Sequence, residues 1–286
     1  SYPISSDNTQ ITLDSTSKEI TYGDSITLKA SVTSDTPQTV TWKSSNTAVA
    51  TVKDGVVTAT GKGTAKITAS LPNGRSAVCT VKVTTKKLPT SGCSYASTAQ
   101  YTGSAIIPTV TVKDGSKVLR QNIDYRVIVT NNVKIGHANI TISGMGNYYG
   151  SYSAGFDIIP AKQTIQKLET RYKGFFVDWA QKGSATGYDI QYSTSANMSG
   201  TASKHLTANK PDNLTISGLT ADKTYYVRVR SYTNVGSKTY YGPWSDIKNI
   251  KTAKYDITKA SVSGISTKAY TGKAITQNIT VKYNGT

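Results

Sequence analysis

The run Asp54-Gly55-Val56-Val57-Thr58-Ala59-Thr60-Gly61-Lys62-Gly63-Thr64-Ala65-Lys66-Ile67-Thr68-Ala69 decides the fold class. Asp-Gly is among the strongest short-range hairpin dipeptides, because both central residues of the tight turn need positive φ. Apolar and polar side chains then alternate through Thr64–Ala69, the period of a half-buried strand. The same alternation fills Ser25-Ile26-Thr27-Leu28-Lys29-Ala30-Ser31-Val32, read as one strand, and a second turn signal stands at Asn73-Gly74. Phe175–Trp179, Gly187–Tyr192 and Tyr225–Tyr232 read as longer strands. Short strands about 8–12 residues apart with turns between them predict β-sandwiches.

Composition agrees. Of 286 residues only 37% are apolar, and Thr, Ser, Val, Ile and Tyr dominate. β-branched and aromatic side chains suit a pleated, half-buried surface. Met occurs twice, and Glu stands only at Glu19 and Glu169. The length fits about two to three ordinary domains. The expectation is an all-β chain of tandem sandwiches in an elongated array.

The formal charge is +17, and it is graded along the chain rather than packed into one tail: +2 over 1–85, +4 over 86–160, +7 over 161–252 and +4 over 253–286. A nucleic-acid binder would concentrate basic residues on a recognisable motif, so no specific nucleic-acid partner is expected. Diffuse positive charge suits weak attachment to cell-wall polyanions, acidic glycans or anionic surfaces. No apolar run approaches the ~18 residues of a membrane-spanning helix. Ser1-Tyr2-Pro3-Ile4 lacks the charged-then-apolar pattern of a leader, which fits either a removed signal or a piece of a longer chain.

Two cysteines do not make a disulfide framework. Cys79 lies in the alternating run Val78-Cys79-Thr80-Val81-Lys82-Val83 and reads as a small buried apolar residue, with a Cys79–Cys93 bridge as the alternative.

The chain repeats itself. Tyr101-Thr-Gly-Ser-Ala-Ile-Ile-Pro-Thr-Val-Thr-Val-Lys113 and Tyr270-Thr-Gly-Lys-Ala-Ile-Thr-Gln-Asn-Ile-Thr-Val-Lys282 share eight of 13 positions at an offset of 169 residues. The first copy runs on through Asp124-Tyr125, Gly136-His137-Ala138 and Gly144-Met145-Gly146-Asn147-Tyr148 to Pro160, and the second has residues for about two strands, which alone are marginal in water. Segments 84–92, 159–162 and 251–254 read as short linkers, and short linkers favour a stiff rod, on the order of 110–140 Å for three modules and a partial fourth.

Three resemblances follow from these residues. Residues 9–85 resemble a group 2 bacterial immunoglobulin-like domain, carried by Val40-Thr41-Trp42-Lys43-Ser44-Ser45-Asn46-Thr47-Ala48-Val49-Ala50-Thr51-Val52, then by Gly55–Ala59 and Gly61–Ala69. Residues 162–252 resemble a fibronectin type III domain. Trp179 stands for the core tryptophan, Leu219 and Tyr225 for the tyrosine corner, and Gly242-Pro243-Trp244-Ser245 for the last-strand pattern. Residues 93–160, and a partial copy from about 256, resemble a Tyr-Thr-Gly module of large surface proteins of Gram-positive anaerobes. The implied domains are 1–85, 86–160, 161–253 and an incomplete 254–286, with Trp42, Trp179, Leu219 and Tyr225 as core residues.

Catalysis would need a paired acid and base or an activated nucleophile. His137, in the strand-like Gly136-His137-Ala138-Asn139-Ile140, and His205, in the loop-rich Ser203-Lys204-His205-Leu206, read as ordinary surface residues. Glu19 and Glu169 are too far apart in sequence to suggest a glycosidase pair. Asp54-Gly55 and Asp114-Gly115 read as hairpin turns, and no cofactor, zinc or calcium pattern is present. The strand Tyr225–Tyr232 offers an aromatic–basic ladder. Period two puts Tyr226, Arg228, Arg230 and Tyr232 on one face, with Trp244 over the arginines. It reads either as a ligand face for glycans or polyanions or as a cation–π stack that protects the sheet. Tyr148, Tyr149 and Tyr152 pose the same choice.

The sequence therefore suggests a non-catalytic, extracellular stalk or adhesive segment of a bacterial surface or secreted protein. Expected partners are neighbouring domains, cell-wall polyanions, glycans or a host surface protein. A wall- or glycan-binding arm of a larger hydrolase and a strand-donating filament subunit remain alternatives.

Overall fold

A computed structural model describes residues 8–254 and 256–283. They divide into two compact units, one holding the chain through residue 99 with 105–132 and 137–157, the other holding 100–104, 133–136 and everything from 158.

The first segment consists of β1 (Gln10–Leu13), β2 (Ser17–Thr21), β3 (Ser25–Thr27), β4 (Ala30–Thr33), β5 (Thr41–Ser44), β6 (Ala50–Lys53), β7 (Val56–Ala59), β8 (Gly63–Ser70) and β9 (Ser76–Thr84). They form the sheets β2-β9-β8-β5 and β3-β7-β6 and the pair β1-β4. Alternation drives Ala65, Ile67 and Ala69 of β8 and Cys79, Val81 and Val83 of β9 into one apolar interior. Each large aliphatic side chain buried there contributes about 1.5–3 kcal/mol. Lys53 pairs with Val56 across a two-residue turn in which Asp54 and Gly55 both take positive φ, 50° and 81°. Asn73-Gly74 sits in a longer loop, 71–75, between the paired Ser70 and Ser76.

The run Ser25–Val32 is not one strand. β3 pairs with β7 while β4 pairs with β1, and buried Leu28 lies at the crossing with its N–H on the Gly55 carbonyl at 2.8 Å. The apolar period survives the crossing because only the hydrogen-bonding partner changes. Trp42 is half-buried rather than enclosed, and it packs against both apolar clusters of this segment.

The middle segment holds β10 (Lys86–Lys87), β11 (Cys93–Ser94), β12 (Thr98–Gln100), β13 (Thr111–Asp114), β14 (Lys117–Val118), β15 (Tyr125–Thr130), β16 (Gly136–Gly144), β17 (Tyr148–Tyr149) and β18 (Ser151–Ile159). The main sheet is β12-β18-β16-β15, and β11-β13-β14 forms the second. Segment 84–92 is not a free linker: Lys86 and Lys87 pair in parallel with Tyr148 and Tyr149, and Leu88 is buried. Its polar composition suggested a linker, but its backbone groups have distant partners. The Cys79–Cys93 alternative is overturned, since both thiols are free and Cys79 points into the core.

The third segment runs through β19 (Ile165–Arg171), β20 (Gly174–Trp179), β21 (Gly187–Ser193), β22 (Ala202–Leu206), β23 (Asn213–Ile216), β24 (Thr224–Val235), β25 (Lys238–Tyr241) and β26 (Lys248–Lys251). One sheet is β19-β20-β23; the other is β22-β21-β24-β25, with β26 also on β24. Trp179 and Tyr188 are fully buried with ring centroids 5.2 Å apart. Tyr225 is buried, and its hydroxyl accepts the Thr220 N–H at 3.2 Å; Leu219 is half-buried against the same core. His205 lies on β22, not in a loop.

Beyond it, β27 (Ala260–Ser263) and β28 (Thr280–Tyr283) pair antiparallel, Val262 with Val281 and Ser263 with Thr280. In the middle segment Cys93 pairs with Val112 and Ser94 with Thr111, the same register 169 positions earlier. Val110 and Val112 are buried, whereas Ile279 and Val281 are more than half exposed.

Candidate functional site

Two clusters of polar and aromatic side chains stand out. The first lies within the first unit, where the chain passes from β9 into β10. The Lys86 ammonium donates to both carboxylate oxygens of Asp114 at 2.8 Å, and the Tyr148 hydroxyl donates to the same carboxylate at 3.0 Å. Tyr148 meets Tyr22 edge to face at 5.5 Å, and Lys117 donates to the Tyr22 hydroxyl at 2.6 Å while lying over its ring. Asn147 accepts the Lys62 N–H through its side chain and the Lys86 N–H through its carbonyl, at 2.8 and 2.9 Å. Burial alone would raise the Asp114 pKa, but the Lys86 and Tyr148 hydrogen bonds and the nearby lysine charges leave it lowered. Burial, and then the Asp114 carboxylate, raise that of the Tyr148 phenol. Of the three tyrosines that posed the binding question, Tyr148 is buried in this joint, Tyr149 is exposed, and Tyr152 buries its hydroxyl.

The second cluster is the ladder on β24. The Arg228 and Arg230 guanidinium carbons each lie 4.5 Å from the Trp244 ring, and Arg230 is 4.0 Å from that of Tyr241. Partners come from β21: Arg228 donates twice to the Gln191 side-chain Oε1, at 2.6 and 3.0 Å, and Arg230 donates to the Asp189 carboxylate at 2.9 Å. Burial, then the Arg230 charge, lower the Arg228 pKa. Tyr226 is half-buried beside them. Tyr232 is on the same face but buried. His205 stacks on it at 4.8 Å, Tyr241 lies 6.0 Å away, and its hydroxyl donates to the Leu206 carbonyl. Alternation found this face but not the β22 and β25 side chains that cover its end.

Both histidines are half-exposed partners of carboxylates, His205 with Asp189 at 2.6 Å and His137 with Asp157 at 2.9 Å. Among the described residues no group of three or more His, Cys, Asp or Glu side chains could hold a metal ion, and no helix is long and apolar enough to cross a membrane. The arrangement stacks and pairs charges; neither cluster sets a base against a nucleophile.

Comparison with known proteins identifies two of the segments. Residues 7–81 match the bacterial Ig-like domain (group 2), and residues 163–247 match the fibronectin type III domain. The chain thus carries these two domains within an all-β architecture, and domains of both kinds are typically non-catalytic and common in extracellular proteins. Over 51 residues the chain is 57% identical to a lacto-N-biosidase of Bifidobacterium bifidum, a stretch that is 18% of this chain and spans 5% of that protein. Among solved structures, the FN1-FN3 domains of chicken CNTN1 share 12% identity at a TM-score of 0.31, covering 86% of this chain and 98% of that one. A run of titin domains shares 14% at 0.28, covering 84% and 98%.

Proposed function

We propose that this chain is a non-catalytic stalk segment of a bacterial surface or secreted protein, holding other parts of that protein at a distance. The observation that supports it is the joint between the first two segments. A spacer transmits position only if its junctions are stiff, and here Tyr148 packs edge to face on Tyr22, Lys117 donates to the Tyr22 hydroxyl and Asn147 takes the Lys62 N–H, while β10, entered directly from β9, is paired with β17. In this reading the middle segment is a Tyr-Thr-Gly module, and β27–β28 is the opening hairpin of a second copy, consistent with their shared register.

Pulsed electron spin measurements test the stiffness. With Cys93 replaced by Ser, one spin label is placed on the exposed surface of each of the first two segments. A single narrow distance distribution is expected, broadening in Asn147→Ala, and a broad distribution in the parent chain would defeat the reading.

A second reading has its own observation, the 51-residue likeness to a lacto-N-biosidase. On this view the segment is an accessory arm of a glycan-active protein, with its +17 charge adding retention on acidic wall polymers. Co-sedimentation with purified cell wall at low and high salt separates the two, because a plain spacer stays in the supernatant in both.

A further inference from the structure

We infer that the first unit is the mechanically stronger part of the chain, and that the fibronectin domain yields before it when the chain is stretched from its ends. The inference deepens the stalk reading and rests on it for its biological use.

The argument begins with strand direction. Where the first and last strands of a domain pair in parallel, tension pulls one toward its N-terminus and the other toward its C-terminus. The strands are driven past each other lengthwise, and every bond between them is loaded together. Where they do not pair, no such set shares the load, and contacts part in succession. β2 and β9 are the parallel case. Five residue pairs join them, from Ser17 with Thr80 to Thr21 with Thr84. The ladder is closed at its ends by the Thr80 N–H on the Thr16 carbonyl at 2.8 Å and the Tyr22 N–H on the Thr84 carbonyl at 2.9 Å. β1, held to β4 by four antiparallel pairs, peels away before this ladder is loaded.

The chain leaves β9 at Thr84 and is caught again at once. β10 pairs in parallel with β17, the Lys86 and Leu88 N–H groups bond the Asn147 and Tyr149 carbonyls at 2.9 Å, and Lys86 is fastened to Asp114. The same direction recurs farther on, where the Asp157 N–H donates to the Ser97 carbonyl and, in residues of the second unit, the Tyr101 N–H donates to that of Ile159.

The fibronectin domain has a different edge. β19 is antiparallel to β20, and β26 is antiparallel to β24. Among the described residues its first and last strands meet through the parallel bridge of Tyr172 with Ala253, the Ala253 N–H on the Arg171 carbonyl at 2.9 Å, and two side-chain bonds, the Thr170 hydroxyl on the Lys251 carbonyl at 3.0 Å and the Lys248 ammonium on the Ile165 carbonyl at 2.7 Å, with no ladder like that of β2 and β9. Forced unfolding follows the barrier to opening rather than equilibrium stability, so the domain with fewer backbone hydrogen bonds between its end strands opens first.

Single-molecule force spectroscopy on the full chain, with handles at its two ends, tests this. The fibronectin event is recognised by a length gain of about 30 nm and by its shift in Tyr225→Phe. It is expected before the events of the first unit and at lower force. In the parallel bonding pattern fixed by the two end bonds, the Lys18 N–H faces β9, and Lys18 is exposed. Lys18→Pro removes that donor and is expected to lower the force of the first-segment event by about half. Val57→Ala, a core truncation in β7 outside the ladder, is expected to lower equilibrium stability while retaining most of that force. A first-segment event at or below the fibronectin force overturns the inference with no variant needed, and so does an unchanged force in Lys18→Pro. Either result leaves the spin-label test of joint stiffness unaffected, so the two readings fail separately.

Discussion

The Lys86 ammonium sits 2.8 Å from each carboxylate oxygen of Asp114, and the Tyr148 hydroxyl fills a third position on that carboxylate at 3.0 Å. Asp114 is mostly buried, so the pair is shielded from water on one side and holds β10 against β13. Its folded pKa is lowered from the ordinary aspartate value of about 3.9. A depressed carboxyl stabilises the fold fully above the unfolded pKa and loses that contribution as pH falls through the folded one. Asp114→Asn is therefore expected to cost about 1 kcal/mol near neutral pH, discounted for the part-exposed lysine. The gap between the two proteins should close below about pH 4. Denaturant unfolding followed from pH 7 to pH 2 checks this, and a gap that stays constant with pH would contradict it.

Tyr225 helps close the fibronectin fold at the turn leading into β24, where its hydroxyl takes the Thr220 N–H and the Thr252 hydroxyl donates to the Thr220 carbonyl. Tyr225→Phe keeps the ring in the core beside Phe175 and Tyr192 and removes only that bond. The expected loss is about 1 kcal/mol in the fibronectin transition, with the first unit unchanged. Urea unfolding monitored by tryptophan fluorescence reads it through Trp179.

The Trp244 ladder is expected to behave as a support for the sheet. Its ring covers two guanidinium groups already hydrogen-bonded by Gln191 and Asp189. Trp244→Ala should cost about 1–2 kcal/mol, the value of two partly shielded cation–π contacts. Arg228→Gln should lower the salt needed to elute the full chain from an immobilised acidic polysaccharide no more than Lys204→Gln does, a lost exposed charge on β22. A much larger shift for Arg228 would make the ladder a ligand face instead.

What could be read in the sequence is what short range decides. The Asp54-Gly55 turn, the alternation that buries Ile67 and Val81, and the six-residue step from Leu219 to Tyr225 are all local patterns. The sharing of one face by Arg228 and Arg230 also follows from period two. What could not be read depends on partners far along the chain. Ser17 and Thr80 are joined across most of a domain, Lys86 finds Tyr148, and Leu28 marks a change of sheet without a change of period. Segment 84–92 has the composition of a linker, and only the Tyr148–Tyr149 backbone makes it a strand. Tyr148 is flanked by polar and glycine residues, so nothing local announces that its ring lies against Tyr22.

The Asp54-Gly55 turn carries a last prediction, because it does more than reverse the chain. A side chain on Gly55 would place its Cβ 2.6 Å from the Leu28 carbonyl oxygen and 3.2 Å from the Trp42 ring, at a φ of +81°. That carbonyl belongs to the residue at which the chain crosses between sheets, so it cannot retreat without pulling on β3 and β4. Gly74 has a similar φ of +86°, yet a Cβ there would meet nothing within 4 Å. Gly74→Ala should therefore cost only the strain of a left-handed alanine, about 1 kcal/mol. Gly55→Ala adds a backbone clash and should cost about 2–4 kcal/mol. Thermal unfolding of the two variants side by side decides it: equal losses would mean that Leu28 is free to shift, and that the crossing is not pinned by the turn.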